Sequence, residues 1–191
     1  VEDLGNRVIR AVGDPVERFR EDGLRSMRAC RLASIHGFTI EPKTLAAMKE
    51  TVDVASQISM ERVRDEFVKL VTKSPKPSIG LELMREVGLL QLYIPELLEG
   101  YGMEQNDHHV HDVYQHSLDT VDVAPEEIRI AALFHDIGKP RCKDGDHFYS
   151  HDKVGMDLTK EILTRLKFPN AEIDNIANLV RWHMFYVPKG T

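Results

Sequence analysis

The sequence predicts an all-α protein made of two helical regions, residues 1–100 and 101–191. Three observations carry that prediction. Apolar residues recur at helical spacing in one segment after another, no segment alternates with a period of two, and Gly, Pro, Asp and Ser stand where helices start and stop. At 191 residues the chain is long enough to bury a substantial core.

The elements follow in order. In Gly13-Asp14-Pro15-Val16-Glu17, Asp14 is placed to cap a helix, Pro15 suits its first position and Glu17 completes a capping box. Leu24, Met27, Leu32 and Ile35 continue at helical spacing to Gly37, with Gly23 interrupting, so residues 14–36 form two helices or one bent one. A helix from 42 to about 54 turns Leu45 and Met48 inward, and Ser59 caps another in which Val63, Phe67, Leu70 and Val71 form an apolar stripe. Residues 73–78, with Pro75 and Pro77, read as a loop, followed by a helix ending at Gly88 and an apolar stretch over 89–98 that Pro95 interrupts. Residues 100–107 are the expected boundary. Beyond it helices are expected at 112–123, 125–136, 151–167 and 171–184, the last capped by Asn170 and carrying Ile173, Ile176, Val180 and His183 on one inward stripe.

Composition excludes several classes. No apolar run approaches the roughly 20 residues that span a bilayer, and Val1-Glu2-Asp3-Leu4 is not a signal peptide, so a cytoplasmic protein with no membrane partner is expected. Cys30 and Cys142 offer neither a disulfide framework nor a thiolate cage and are expected in the core. A net charge of -6 argues against a surface built throughout for nucleic acid, yet Arg7, Arg10, Arg18, Arg20, Arg25, Arg28 and Arg31 crowd the first 31 residues. The start at Val1 suggests a fragment of a longer chain.

Chemistry concentrates in the second region, where eight of the nine histidines lie between His108 and His183. At Phe134-His135-Asp136-Ile137-Gly138-Lys139-Pro140 an apolar helical run ends in an adjacent imidazole and carboxylate, beside a cation. A lone histidine on an apolar helical face is more commonly a hydrogen-bonded core residue than a ligand. Convergence of His116, His135, Asp136, His151 and His183 favours a site instead, because imidazole and carboxylate together hold borderline or hard divalent ions. Water on such an ion ionises near neutral pH and attacks phosphorus, with Asp136 at the reacting centre and Lys139 neutralising a phosphate oxygen. His108, His109, His111 and His147 fall in expected loops and are weaker candidates.

His116-Ser117-Leu118, the His135 to Pro140 segment, His151, and Arg181-Trp182-His183-Met184 resemble the HD superfamily of metal-dependent phosphohydrolases. Asn106, His109 and Asp112-Val113-Tyr114-Gln115-His116 are more closely similar to the HD region of bacterial CCA-adding tRNA nucleotidyltransferases and poly(A) polymerases. The resemblance implies an HD-type helical domain over 101–191 whose metal positions are His116, His135, Asp136, His151 and His183. It also implies a divalent ion of the Mg, Mn, Ni or Fe kind, and one further Asp on a helix beyond Thr191.

The arginine-rich front, from Ile9 through Asp14-Pro15 to Glu21-Asp22-Gly23-Leu24-Arg25 and Arg28, is similar to the neck of class II CCA-adding enzymes. Glu61-Arg62-Val63-Arg64-Asp65-Glu66-Phe67, Gly88-Leu89-Leu90 and Ile94-Pro95-Glu96-Leu97 match it too, so the resemblance spans nearly the whole chain. It implies that Asp22 and Arg25 select CTP and ATP, with Arg18 and Arg28 touching phosphate or base, and that the partner is the 3′ end of tRNA or another RNA. An acceptor and a donor three residues apart suit the pairing edges of C and A and oppose those of U and G. The plainer alternative is that Asp22 caps the helix starting at Gly23 and Arg25 makes a surface ion pair. The Gly-Ser phosphate motif and paired carboxylates of a nucleotidyltransferase head are not found in these residues, so transfer requires a head preceding Val1. The rival readings are a free-standing HD phosphohydrolase acting on nucleotides or cyclic phosphates, and a non-catalytic RNA-binding or oligomerising module.

Overall fold

The computed structural model describes residues 2–103, 112–144 and 147–184. Asn106, His108, His109 and His111 lie outside them. Helices dominate, as predicted, with thirteen α-helices among the described residues. In the front region α1 (Glu2–Gly5) leads to strand β1 (Val8–Ile9), then to α2 (Pro15–Glu21) and α3 (Leu24–His36), and β2 (Thr39–Ile40) returns to pair in parallel with β1. Asp14 caps α2 as expected, its Oδ1 accepting from the Glu17 N–H at 2.9 Å. Residues 14–36 are two helices, parted at Asp22 and Gly23. α4 (Pro42–Glu50) and α5 (Val52–Ala55) divide the helix expected from 42, and α6 (Met60–Lys73) buries Val63, Phe67, Leu70 and Val71. α7 (Pro77–Glu86), α8 (Leu89–Tyr93) and α9 (Pro95–Leu98) complete this region.

The second region comprises α10 (Val113–Val123), α11 (Arg129–Phe134), the hairpin β3 (Lys143–Asp144) and β4 (His147–Phe148), α12 (His151–Arg165) and α13 (Asn170–Arg181). Four details depart from expectation. The strands have only two residues each, too short to leave a periodic pattern. The helix expected over 125–136 divides into a 3-10 turn, Glu126–Ile128, and α11, which stops at Phe134 and leaves His135 and Asp136 in a turn. Asn170 is the first helical residue of α13, not its cap; Pro169, extended at ψ 143°, precedes it. Cys142 is half-buried, whereas Cys30 is fully buried and burial pushes its thiol up to about 12, which keeps it unreactive.

Both regions share one core. Buried side chains form a continuous cluster from Phe19 through Phe67 and Leu90 to Leu133, Ile162 and Val180. Polar ties reinforce it at the junction. The Arg129 guanidinium, at the start of α11, donates to the carbonyls of Val71 (3.2 Å), Thr72 (3.1 Å) and Ser74 (2.7 Å) at the end of α6. It thereby satisfies carbonyls that a helix end leaves unpaired. Arg165 on α12 grips both carboxylate oxygens of Glu96 at 2.9 and 2.8 Å. α11, which ends at the His135-Asp136 turn, is therefore fixed to the front region. No helix among the described residues is long and apolar enough to cross a membrane.

Candidate metal centre and arginine cavity

Four elements converge on Asp136. α10, capped by Asp112 through the Gln115 N–H at 2.6 Å, presents His116 one helical turn in. The turn after α11 supplies His135 and Asp136, α12 opens with His151, and the turn after α13 supplies His183. The stripe Ile173, Ile176, Val180 aims that last turn at the core, as its spacing predicts. Asp136 is 3% exposed at the centre. Its Oδ2 lies 3.1 Å from His135 Nε2 and 3.5 Å from His116 Nε2, and its Oδ1 lies 3.5 Å from His151 Nε2 and 3.6 Å from His183 Nε2. The five predicted ligands thus form two triads that share Asp136.

Backbone carbonyls set the ring orientation. His135 Nδ1 donates to Ala132 O at 2.7 Å, His151 Nδ1 to Phe148 O at 2.8 Å and His183 Nδ1 to Val180 O at 2.6 Å. A carbonyl only accepts, so in each neutral ring Nδ1 carries the proton and Nε2 bears the lone pair. Those Nε2 atoms all face the carboxylate. Lone pairs directed at an anion in a buried space require either protons or a cation between them. His151 Nε2 makes the demand plainest, because it is buried and has no hydrogen-bond partner among the described residues. The residues present therefore fit a divalent ion by donor type, orientation and an unsatisfied nitrogen.

The electrostatics agree. Burial opposes ionisation of Asp136, but the His135 and His183 rings and the Lys139 ammonium outweigh it and hold the carboxyl well below the usual carboxylate range. Lys139 Nζ sits 2.7 Å from Asp136 Oδ2 and above the Phe148 ring. The expected phosphate-neutralising lysine is therefore within the cavity but directed at the carboxylate. Burial depresses the His151 imidazole more than the Phe148 carbonyl and Asp136 raise it. Burial also works against the charged form of His183, yet Asp136 and the Val180 carbonyl more than reverse this, and its pKa is raised above 6.5.

The upward shift of His183 has a measurable consequence. In metal-free protein the His183 contribution to stability is present below its unfolded pKa and is lost as pH rises through its folded pKa. As a metal ligand, His183 would have to lose that proton first. The gap in Tm between Mn2+-loaded and chelated protein should therefore widen from about pH 5.5 to about pH 8. Differential scanning calorimetry checks this, and a gap independent of pH would contradict it.

Other sequence candidates are arranged less simply. Arg18, Arg25 and Arg28 line one cavity of about 300 Å3 beside Phe19 and Arg10, but Asp22 is not part of its wall. Asp22 Oδ1 accepts from the Leu24 N–H at 3.0 Å and Oδ2 from Arg62 at 3.3 Å, so it does cap α3. Arg25 Nη1 donates to Arg18 O and to Glu21 Oε2, both at 2.8 Å. Glu66, 5% exposed, holds Arg28 at 3.3 Å and Arg31 at 2.6 Å with its two oxygens. Sequence reasoning did not single out Glu66. Its signal was a carboxylate on the same face of α6 as Val63 and Leu70. His147 lines the cavity at Asp136, of about 450 Å3, with Phe148 and Tyr149.

Comparison with known proteins bears on both sites. Residues 37–100 match the family described as "Probable RNA and SrmB-binding site of polymerase A", and residues 96–189 match the HD domain. The A-adding tRNA nucleotidyltransferase of Deinococcus radiodurans is 38% identical over 98% of this chain and 46% of its own length. The CC-adding tRNA nucleotidyltransferase of Thermus thermophilus is 34% identical over 98% of the chain and 47% of its own length. The chain thus spans about half the length of the curated relatives it matches. A solved structure titled tRNA-processing enzyme (apo form I) superposes with a TM-score of 0.55 at 20% identity, over 95% of this chain and 44% of that one, which shows a shared fold.

Proposed function

Because the chain belongs to the class II CCA-adding tRNA nucleotidyltransferase and poly(A) polymerase family, whose neck and HD region it carries, we propose that it performs two tasks within such an enzyme. Residues 1–100 read the incoming CTP or ATP and help hold the 3′ end of tRNA or another RNA. Residues 101–191 form a metal-dependent phosphohydrolase region. Similarity along 98% of the chain, covering both regions, favours this composite over a free-standing HD hydrolase. The enzyme works in the cytoplasm, where its RNA and nucleotides are.

The neck reading rests on the cavity that gathers Arg18, Arg25 and Arg28. Guanidinium groups there match phosphate oxygens and base acceptors. Their mutual repulsion is relieved by Glu21 and by Glu66, which orient them. For Asp22 to read a base edge, its Oδ2 must exchange Arg62 for the exocyclic amine while Oδ1 keeps the helix cap. Phosphate contacts of this type weaken as salt rises.

The hydrolase reading rests on one observation above others, the convergence of His135, His151 and His183 Nε2 on buried Asp136. His116, His135, Asp136, His151 and His183 would hold the divalent ion, whose identity among Mg, Mn, Ni and Fe the donor set does not fix. When bound, that ion supplies Lewis-acid charge to a phosphoester and acidifies water. The chain's own residues do the rest: the carbonyls of Ala132, Phe148 and Val180 fix the imidazole tautomers, and Asp136 spans both triads. Lys139, whose ammonium lies 2.7 Å from Asp136 Oδ2, would be the cation at hand to neutralise a phosphate oxygen.

Asp22→Asn tests the neck assignment, since asparagine retains the helix cap and replaces one acceptor by a donor. In the intact enzyme it should lower the preference for CTP and ATP over GTP and UTP by about tenfold or more. Steady-state kinetics with the four nucleotides would show it. An unchanged preference would remove Asp22 from nucleotide selection.

A further inference from the structure

Residues 10–13 link β1 to the Asp14 cap of α2, and residues 9–12 line the arginine cavity together with Arg18, Arg25, Arg28 and Thr44. Little holds this link. Val12 is 86% exposed, and Gly13 turns the chain at φ 78°. Among the described residues, the one backbone group of 10–13 that is hydrogen-bonded is the Ala11 N–H, which donates to Thr44 Oγ1 at 3.1 Å.

Thr44 is itself held in the orientation that bond needs. It is 1% exposed, in the first turn of α4, and its hydroxyl donates to Glu41 Oε2 at 2.8 Å, which leaves its lone pairs for the Ala11 N–H. Glu41 Oε2 also accepts from the Thr44 N–H at 2.7 Å and so caps α4, while Oε1 pairs with Arg10 at 3.3 Å. Asp, Asn or Ser is the more usual capping residue. The longer Glu reaches both the helix and the link. Two ties thus run from the start of α4 to residues 10–13, one from Thr44 to Ala11 and one from Glu41 to Arg10.

We propose that Thr44 is a positioning residue for nucleotide binding in the arginine cavity, oriented by Glu41 and acting through the backbone of Ala11. The proposal rests on the neck reading of that cavity and adds to it a residue outside the arginine set. A wall that is ordered before the ligand arrives spares binding the entropy of ordering it, so a fixed link favours binding more than the chemical step. Without the hydroxyl, the half-buried Ala11 N–H loses its acceptor and residues 10–12 loosen. Arg18, Arg25 and Arg28 remain in place, and the loss falls on KM.

Hydrogen exchange of the Ala11 amide, followed by NMR in the 191-residue chain, and steady-state kinetics of the intact enzyme test this together. Thr44→Val keeps the shape and removes the hydroxyl; it should speed Ala11 exchange and raise KM for CTP and ATP, each about tenfold, with kcat changed far less. Thr44→Ser keeps the hydroxyl and should hold both near the parent values. Faster exchange across α2, α3 and α4 alike, with kcat lowered and KM unmoved, would mark a general loss of stability and overturn the positioning role. Unchanged Ala11 exchange in Thr44→Val overturns the anchor. Faster Ala11 exchange with unchanged KM overturns the link to nucleotide binding alone, provided Arg25→Ala still raises KM. If Arg25→Ala leaves KM unchanged as well, the neck reading fails and the positioning role with it.

Discussion

Asp136→Asn should lose metal affinity by more than about a hundredfold while remaining folded, because the substitution takes the anion from the middle of both ligand triads. The carboxylate is 3% exposed and approached by four imidazole Nε2 atoms and the Lys139 ammonium. Its neutral isostere keeps the shape but leaves buried positive charge uncompensated, so metal-free stability should also fall, by about 3 kcal/mol. The loss of stability should be larger at low pH, where more of the imidazoles are charged. Equilibrium dialysis with Mn2+, with circular dichroism to confirm folding, measures both effects. Retention of metal at the parent affinity would show that Asp136 is only an internal counter-ion for Lys139.

Gly138→Ala should be as damaging, for a steric reason. A Cβ at position 138 would lie 2.2 Å from His151 O and 2.6 Å from Gly155 N, both backbone atoms of α12. Backbone does not yield as a flexible side chain does, so α12 must move away from the turn that carries Asp136. His151 is the first residue of α12 and would move with it, opening the gap between its Nε2 and Asp136 Oδ1. The expected result is destabilisation by about 3 kcal/mol or more, together with loss of tight metal binding. Gly155 contributes to the same close approach, lying opposite Gly138 with Val180 beside it. A Gly138→Ala protein with unaltered Tm and metal affinity would contradict the tight turn–helix packing described for this centre.

Much of this was legible in the sequence because the signals were local. The Asp14-Pro15 start, the Gly23 break and the Val63, Phe67, Leu70, Val71 stripe each involve residues within two helical turns, and each forms as its chemistry dictates. The five candidate ligands were legible as a set because eight of the nine histidines crowd the second region, beside apolar helical runs. What escaped depends on partners distant in sequence. β1 and β2 pair residues about thirty positions apart over two residues each, which leaves no pattern. Glu66 gains its role from Arg28 and Arg31, 38 and 35 positions away. The Asn170 cap was misplaced because Pro169 takes the capping position, so the expected polar residue entered the helix instead. At Asp22 the structural alternative proved real, since the side chain caps α3. Its second oxygen pairs with the half-exposed Arg62, and the proposed base reading would have to use that oxygen.

The proposed hydrolase function depends on Asp136 and four histidines being metal ligands and not a packed polar cluster. Anomalous diffraction from crystals grown with Mn2+ tests it most directly. The account predicts a strong manganese peak roughly 2.0–2.3 Å from Asp136 and at least two of His116, His135, His151 and His183 Nε2, with Lys139 Nζ withdrawn from Oδ2. A map without a peak there, with Lys139 still seated on the carboxylate at millimolar Mn2+, would contradict it.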